Sequence, residues 1–148
     1  MTPPRILATV GATLAVLLGT TAAAPALAEP AQPLLAASCK AATCNGKDPV
    51  TAGCAPDGKL VESVPLATDR SIKVELFHSN ACQANWARSV NAPNGGAVLV
   101  TNKKGAKYVR NTDGAKTYVW TLMVDGTVQA QACLGPQNSD ALTCTKYH

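Results

Sequence analysis

The sequence predicts an all-β fold, a small antiparallel barrel or sandwich stapled by disulfides. Three observations carry this. Strand-like segments recur at intervals of roughly 10–15 residues beyond Lys59, with turn residues between them. No amphipathic helical period follows residue 28. All six cysteines fall in the same part of the chain, an even number that suits covalent cross-linking.

The N-terminus sets the compartment. Arg5 precedes an apolar run from Ile6 to Leu18, and small residues then lead to Ala26-Leu27-Ala28. Charge, apolar stretch and an A-x-A site, in that order, form a secretory signal peptide. The run is shorter than the ~20 residues of a membrane-spanning helix, so an uncleaved anchor is the weaker reading. Residues 1–28 are therefore expected to be a signal peptide, 29–38 a flexible Pro/Ala-rich leader, and 39–148 a single disulfide-rich β domain. No membrane span is expected after cleavage. The protein is expected outside the cell, secreted or associated with the cell wall.

An exported chain meets an oxidising compartment, so its cysteines read as disulfides. Cys133 and Cys144 are expected to pair, because Gly135-Pro136 turns the chain back between them. Cys39, Cys44, Cys54 and Cys82 then form two more bridges, and the sequence leaves their connectivity open. Zinc sites use close C-x2-4-C or H-x3-5-H pairs, and only Cys39 and Cys44 are near neighbours here. No metal and no cofactor are expected.

Charge bounds the partners. Without Arg5, 12 Lys and Arg face nine Asp and Glu. That excess is too small to imply nucleic acid. Lys103, Lys104, Lys107 and Arg110 form the one basic cluster, around a Lys-Lys-Gly turn, and are a candidate binding patch for an anionic polymer. A solvated turn is the plainer account of the same residues.

Cys39 to Gly58 is rich in Gly, Pro, Asp and Cys and reads as a stapled loop. Within it, Asp48 is expected to cap a turn that Pro49 stiffens. Leu60 to Val64 is a short strand. Ile72, Val74 and Leu76 alternate with Lys73 and Glu75, the period of a half-buried strand. After a Ser79-Asn80 turn, Cys82, Ala84 and Trp86 are expected to face one side of a returning strand, with a helical turn over 82–90 the weaker reading. Ala97 to Val100 reads as a buried strand and Lys107 to Arg110 as a weaker one. Thr117 to Val124 and Thr127 to Cys133 flank Asp125-Gly126 and are expected to form a two-residue hairpin. Tyr118, Trp120, Leu122 and Val124 would share one of its faces.

Catalytic motifs are absent. His78 lacks an evident partner, since the adjacent Ser79 points to the opposite strand face. Carboxylates are scattered, and no Walker, G-x-G-x-x-G, H-E-x-x-H or G-x-S-x-G pattern occurs. Trp86 with Arg88 is a candidate stacking platform, but with six aromatics in the whole chain both Trp86 and Trp120 are expected in the core.

Cys44-Asn45-Gly46-Lys47-Asp48-Pro49 with Gly53-Cys54 resembles the opening of the domain of unknown function 2690 family, also called YjfA-like. Val74-Glu75-Leu76-Phe77-His78-Ser79, then Cys82 and Trp86-Ala87-Arg88, is similar to its central motif, with Phe77-His78 where Arg-Tyr is usual. Trp120 to Gly126, then Ala132-Cys133 and Cys144-Thr145, resembles its tail. The resemblance implies an exported protein of actinobacteria or related Gram-positive bacteria. It supplies no catalytic residue.

The functional expectation is a non-catalytic module that binds a cell-wall polymer or another extracellular protein. A secreted effector or protease inhibitor acting through the Cys39–Cys54 loop is the alternative, and an extracellular hydrolase the third reading. Oligomeric state is left open.

Overall fold

The described residues form nine strands: β1 (Gly58–Pro65), β2 (Lys73–Ser79), β3 (Ala84–Val90), β4 (Asn94–Asn102), β5 (Lys107–Asp113), β6 (Tyr118–Trp120), β7 (Val124–Asp125), β8 (Ala130–Pro136) and β9 (Thr143–Cys144). They are seen in a computed structural model that describes residues 36–148; the expected signal peptide and the leader up to residue 35 lie outside the described residues.

Alternation decides which side chains go inside. In β2 and β3, Val74, Leu76 and Ala87 point to one face and are fully buried. They meet Val98 and Val100 of β4 and Ala132 and Leu134 of β8 in one apolar cluster. The first sheet runs β1-β2-β3-β6, with β7 also on β3; the second runs β5-β4-β8-β9. Every pairing is antiparallel. The two ladders stay separate, so the fold is a sandwich and not a barrel.

The first sheet is buried on its other face as well. Cys39, Cys44, Ala52, Cys54 and Cys82 pack there against Ala84, Trp86 and Met123. This segment has two 3-10 turns, Ala41–Cys44 and Ala55–Asp57. Disulfides close Cys39–Cys44, Cys54–Cys82 and Cys133–Cys144. The first two make a covalent lid over the sheet. The third ties β9 to β8, where Cys133 and Cys144 are directly paired.

The hairpin expected at Asp125-Gly126 does not form. β7 pairs with β3, whereas β8 pairs with β4, so this turn carries the chain from one sheet to the other. A type I′ turn needs positive φ at both central residues, and neither Asp125 nor Gly126 has it. Instead Asp125 Oδ1 accepts the N–H and the hydroxyl of Thr127 at 2.9 and 2.7 Å. Glycine is needed at 126 for close approach, because a Cβ there would sit 2.8–2.9 Å from the backbone of Ala84.

The shared face expected for Tyr118, Trp120, Leu122 and Val124 is also broken. At Ala87 the ladder closes on the Thr121 side chain, whose Oγ1 accepts the Ala87 N–H at 3.0 Å. Met123 leaves β3 altogether and exchanges backbone hydrogen bonds with Gly46 and Lys47 of the cystine segment, at 3.0 and 2.9 Å. Two registers result. Val124 is buried in the core, while Tyr118 and Trp120 lie 47 % and 37 % exposed.

Candidate functional site

The outer face of the first sheet extends beyond the cystine lid, and its register sets a row of side chains there. Glu75 pairs with Arg88, and Phe77 with Trp86. Arg88 pairs in turn with Trp120, and Val90 with Tyr118. Paired residues share a face, so Glu75, Phe77, Trp86, Arg88, Tyr118 and Trp120 come together from three strands.

Arg88 is the centre of this row. Its guanidinium lies 4.5 Å from the centroid of Phe77 and 4.7 Å from that of Tyr118. Phe77 stacks in turn on Trp86, with centroids 5.6 Å apart and planes 12° from parallel. The Arg88 Nε donates to Glu75 Oε2 at 2.7 Å, which holds the guanidinium over the two rings. Each cation–π contact contributes about 0.5–1 kcal/mol where partly exposed.

Trp120 forms the opposite wall. Its indole N–H donates to Asp48 Oδ2 at 3.1 Å. Asp48 Oδ1 accepts the N–H groups of Val50 and Thr51 at 2.9 and 3.2 Å, so this residue caps its own turn as well. Pro49, Val50, Ala55, Gly58, Phe77, Trp86, Arg88 and Trp120 enclose a groove of about 200 Å³. Gly58 leaves room for the indole of Trp86, since a Cβ there would lie 2.5 Å from that ring. Trp86 is in the core as expected; Trp120 is not, because its pairing with Arg88 sets it on the outer face, and the register change after Thr121 turns only Val124 inward.

Lys103, Lys104 and Lys107 flank the turn between β4 and β5, with Arg110 further along β5. Lys103 Nζ donates to Gln129 Oε1, and its ammonium lies 5.5 Å from the Tyr147 ring. Lys104 is exposed at the turn. Lys107 and Arg110, three apart on β5, project from opposite sides of the strand. Only Arg110 approaches the groove, in a neighbouring depression of about 70 Å³ with Lys116, Tyr118, Val119 and Trp120.

His78 Nδ1 hydrogen-bonds Asn85 Oδ1 at 2.8 Å, on the face away from the groove. Ser79 faces the other way and donates to Asp57. His78 shares a cavity with Lys59 and His148, whose Nε2 meets Glu62 Oε2 at 2.9 Å, and among the described residues no carboxylate hydrogen-bonds His78 itself. The sulfurs of Cys39, Cys44, Cys54 and Cys82 converge within 4.8 Å of one another. Each is spent in a disulfide, and it is the thiolate that binds metal. Sequence spacing missed this convergence because it is made by the fold.

Fold and groove together define a disulfide-stapled β-sandwich that displays an aromatic–cationic face beside a covalent lid. The chain belongs to the family described as protein of unknown function, DUF2690, whose model matches residues 42–133. The match includes every groove residue and ends at Cys133, before β9. No curated protein and no solved structure matches the chain. Among the described residues, no helix is long and apolar enough to cross a membrane. Three disulfides fit an oxidising compartment.

Proposed function

We propose that this protein is a secreted, non-catalytic binding module that engages a cell-envelope polymer through the groove between Trp120 and the Phe77–Trp86 stack. One observation carries the reading: a tryptophan 37 % exposed is held by a dedicated hydrogen bond to Asp48 beside an aromatic-lined groove. An exposed aromatic surface fixed at both ends loses little entropy when it takes up a ligand, as a preorganised site should. Aromatic and Arg side chains are also the types that dominate binding surfaces.

The inhibitor reading has less support. Lys47 accepts a backbone hydrogen bond from Met123 and donates its own N–H to Cys44, so its peptide is bound into the fold and not offered to a protease. The hydrolase reading needs a carboxylate at His78, where the structure has Asn85.

Sedimentation with washed Gram-positive cell walls tests the proposal. Wild-type protein is expected to pellet at low salt, and the Trp120→Ala variant to stay in the supernatant. Equal pelleting of the two, or none by either, would overturn it.

A further inference from the structure

Trp120 belongs to two concavities at once. On one side lies the groove with Pro49, Val50, Phe77 and Trp86. On the other lies the smaller depression with Arg110, Lys116 and Tyr118. The two sides differ in charge. Around the groove, Arg88 is neutralised by Glu75 at 2.7 Å. Asp48 has both carboxylate oxygens engaged by N–H donors. In the depression, Arg110 and Lys116 have no carboxylate within ion-pair distance; the ion pairs among the described residues are Arg88–Glu75 and His148–Glu62. A flat apolar surface thus adjoins two uncompensated cations brought from different places, β5 and the loop before β6.

We infer that the ligand is an anionic glycopolymer, with a pyranose ring seated on the Trp120 indole and its pendant carboxylate or phosphodiester oxygen held by Arg110 and Lys116. This rests on the binding-module reading above and adds the ligand's chemistry to it. The C–H face of a pyranose is weakly positive and apolar, the complement of the negative face of an indole. An oxyanion on the adjoining side meets a planar guanidinium that can take it with two parallel hydrogen bonds, together with a flexible ammonium. A neutral glycan would use the ring alone and leave the two cations idle.

Titration by intrinsic tryptophan fluorescence at low salt tests this with four probes: a galacturonate oligosaccharide, a glucosylated poly(glycerol phosphate), a neutral glucose oligosaccharide and single-stranded DNA. At least one of the two anionic glycans is expected to bind about tenfold more tightly than the neutral one, the effect of two partly screened charge contacts. Which of them does so separates uronate from phosphodiester as the source of the anion. The R110Q/K116Q variant should lose that preference and keep the neutral glycan's affinity. Equal affinity for neutral and anionic glycans, an unchanged preference in R110Q/K116Q, or DNA binding above both glycans would each overturn the inference. Wall sedimentation keeps the two claims apart. Walls pelleted without charge preference refute the anionic ligand alone, whereas failure to pellet refutes the module itself.

Discussion

The indole N–H of Trp120 donates to the Asp48 carboxylate across 72 residues of sequence and joins the cystine segment to the edge of the first sheet. The same carboxylate caps the turn at Val50 and Thr51. Asp48 is thus a positioning residue for the groove wall. Asp48→Ala is expected to cost about 1 kcal/mol, the usual effect of losing a capping side chain. It should also raise acrylamide quenching of Trp120. Urea unfolding and quenching together check this, and a change in stability with no change in quenching would separate the cap from the wall.

Arg88 ought to matter through its stack more than through its charge alone. Arg88→Met removes the ion pair with Glu75 and both ring contacts. A double-mutant cycle with Glu75→Gln is expected to give a coupling of about 1 kcal/mol, in the upper range for exposed pairs, because the side chain of Glu75 is only 10 % exposed. Trp86→Ala removes the floor of the groove and should cost about 3–5 kcal/mol, as for other buried large aromatics.

The disulfides are expected to rank by loop length. Cys54–Cys82 closes a separation of 28 residues and Cys39–Cys44 one of 5. In the chain-entropy model their removal as paired alanines costs about 3.5 and about 2 kcal/mol. Thermal unfolding of the two double variants gives the order. The reverse order would mean that native packing of the lid, and not the unfolded chain, sets their worth.

Acid should loosen the turn between β2 and β3. Burial pushes the Asp57 carboxyl up, but hydrogen bonds from the Ala81 N–H, the Ser79 hydroxyl and the Asn80 backbone more than offset it, so its pKa lies below the ordinary value. A depressed carboxylate stabilises the fold above its unfolded pKa of about 3.9, and that contribution is lost as pH falls through the folded value. Wild type is therefore expected to exceed Asp57→Asn in Tm at neutral pH, with the gap narrowing below about pH 4. A gap constant with pH would assign the difference to geometry and not to charge.

The β-sandwich was legible because Val74, Leu76 and Val98 to Val100 follow strand patterns that local residues alone create. Strand period and turn chemistry misled only where a tertiary contact intervened. Asp125-Gly126 has the composition of a hairpin turn, yet β7 finds its partner in β3, which no local pattern encodes. Trp120 and core-facing Val124 part company for the same reason, since the register change between them depends on Gly46 and Lys47 more than 70 residues earlier. The groove itself was half visible. Trp86 and Arg88 share a strand face by their spacing, but Phe77, Tyr118 and Trp120 join them only through sheet register, and Asp48 only through its hydrogen bond with the Trp120 indole. Within the basic cluster, strand alternation sets Arg110 on the opposite side of β5 from Lys107, which spacing in sequence alone does not display.

The most direct measurement of the central claim is a two-dimensional amide and indole NMR titration of the protein with solubilised wall polymer. The account predicts that the Trp120 indole resonance moves furthest, with the amides of Val50, Phe77, Arg88 and Tyr118 following and the buried Trp86 indole moving less. Shifts confined to the turn at Lys103 and Lys104, or no shifts at all, would contradict it.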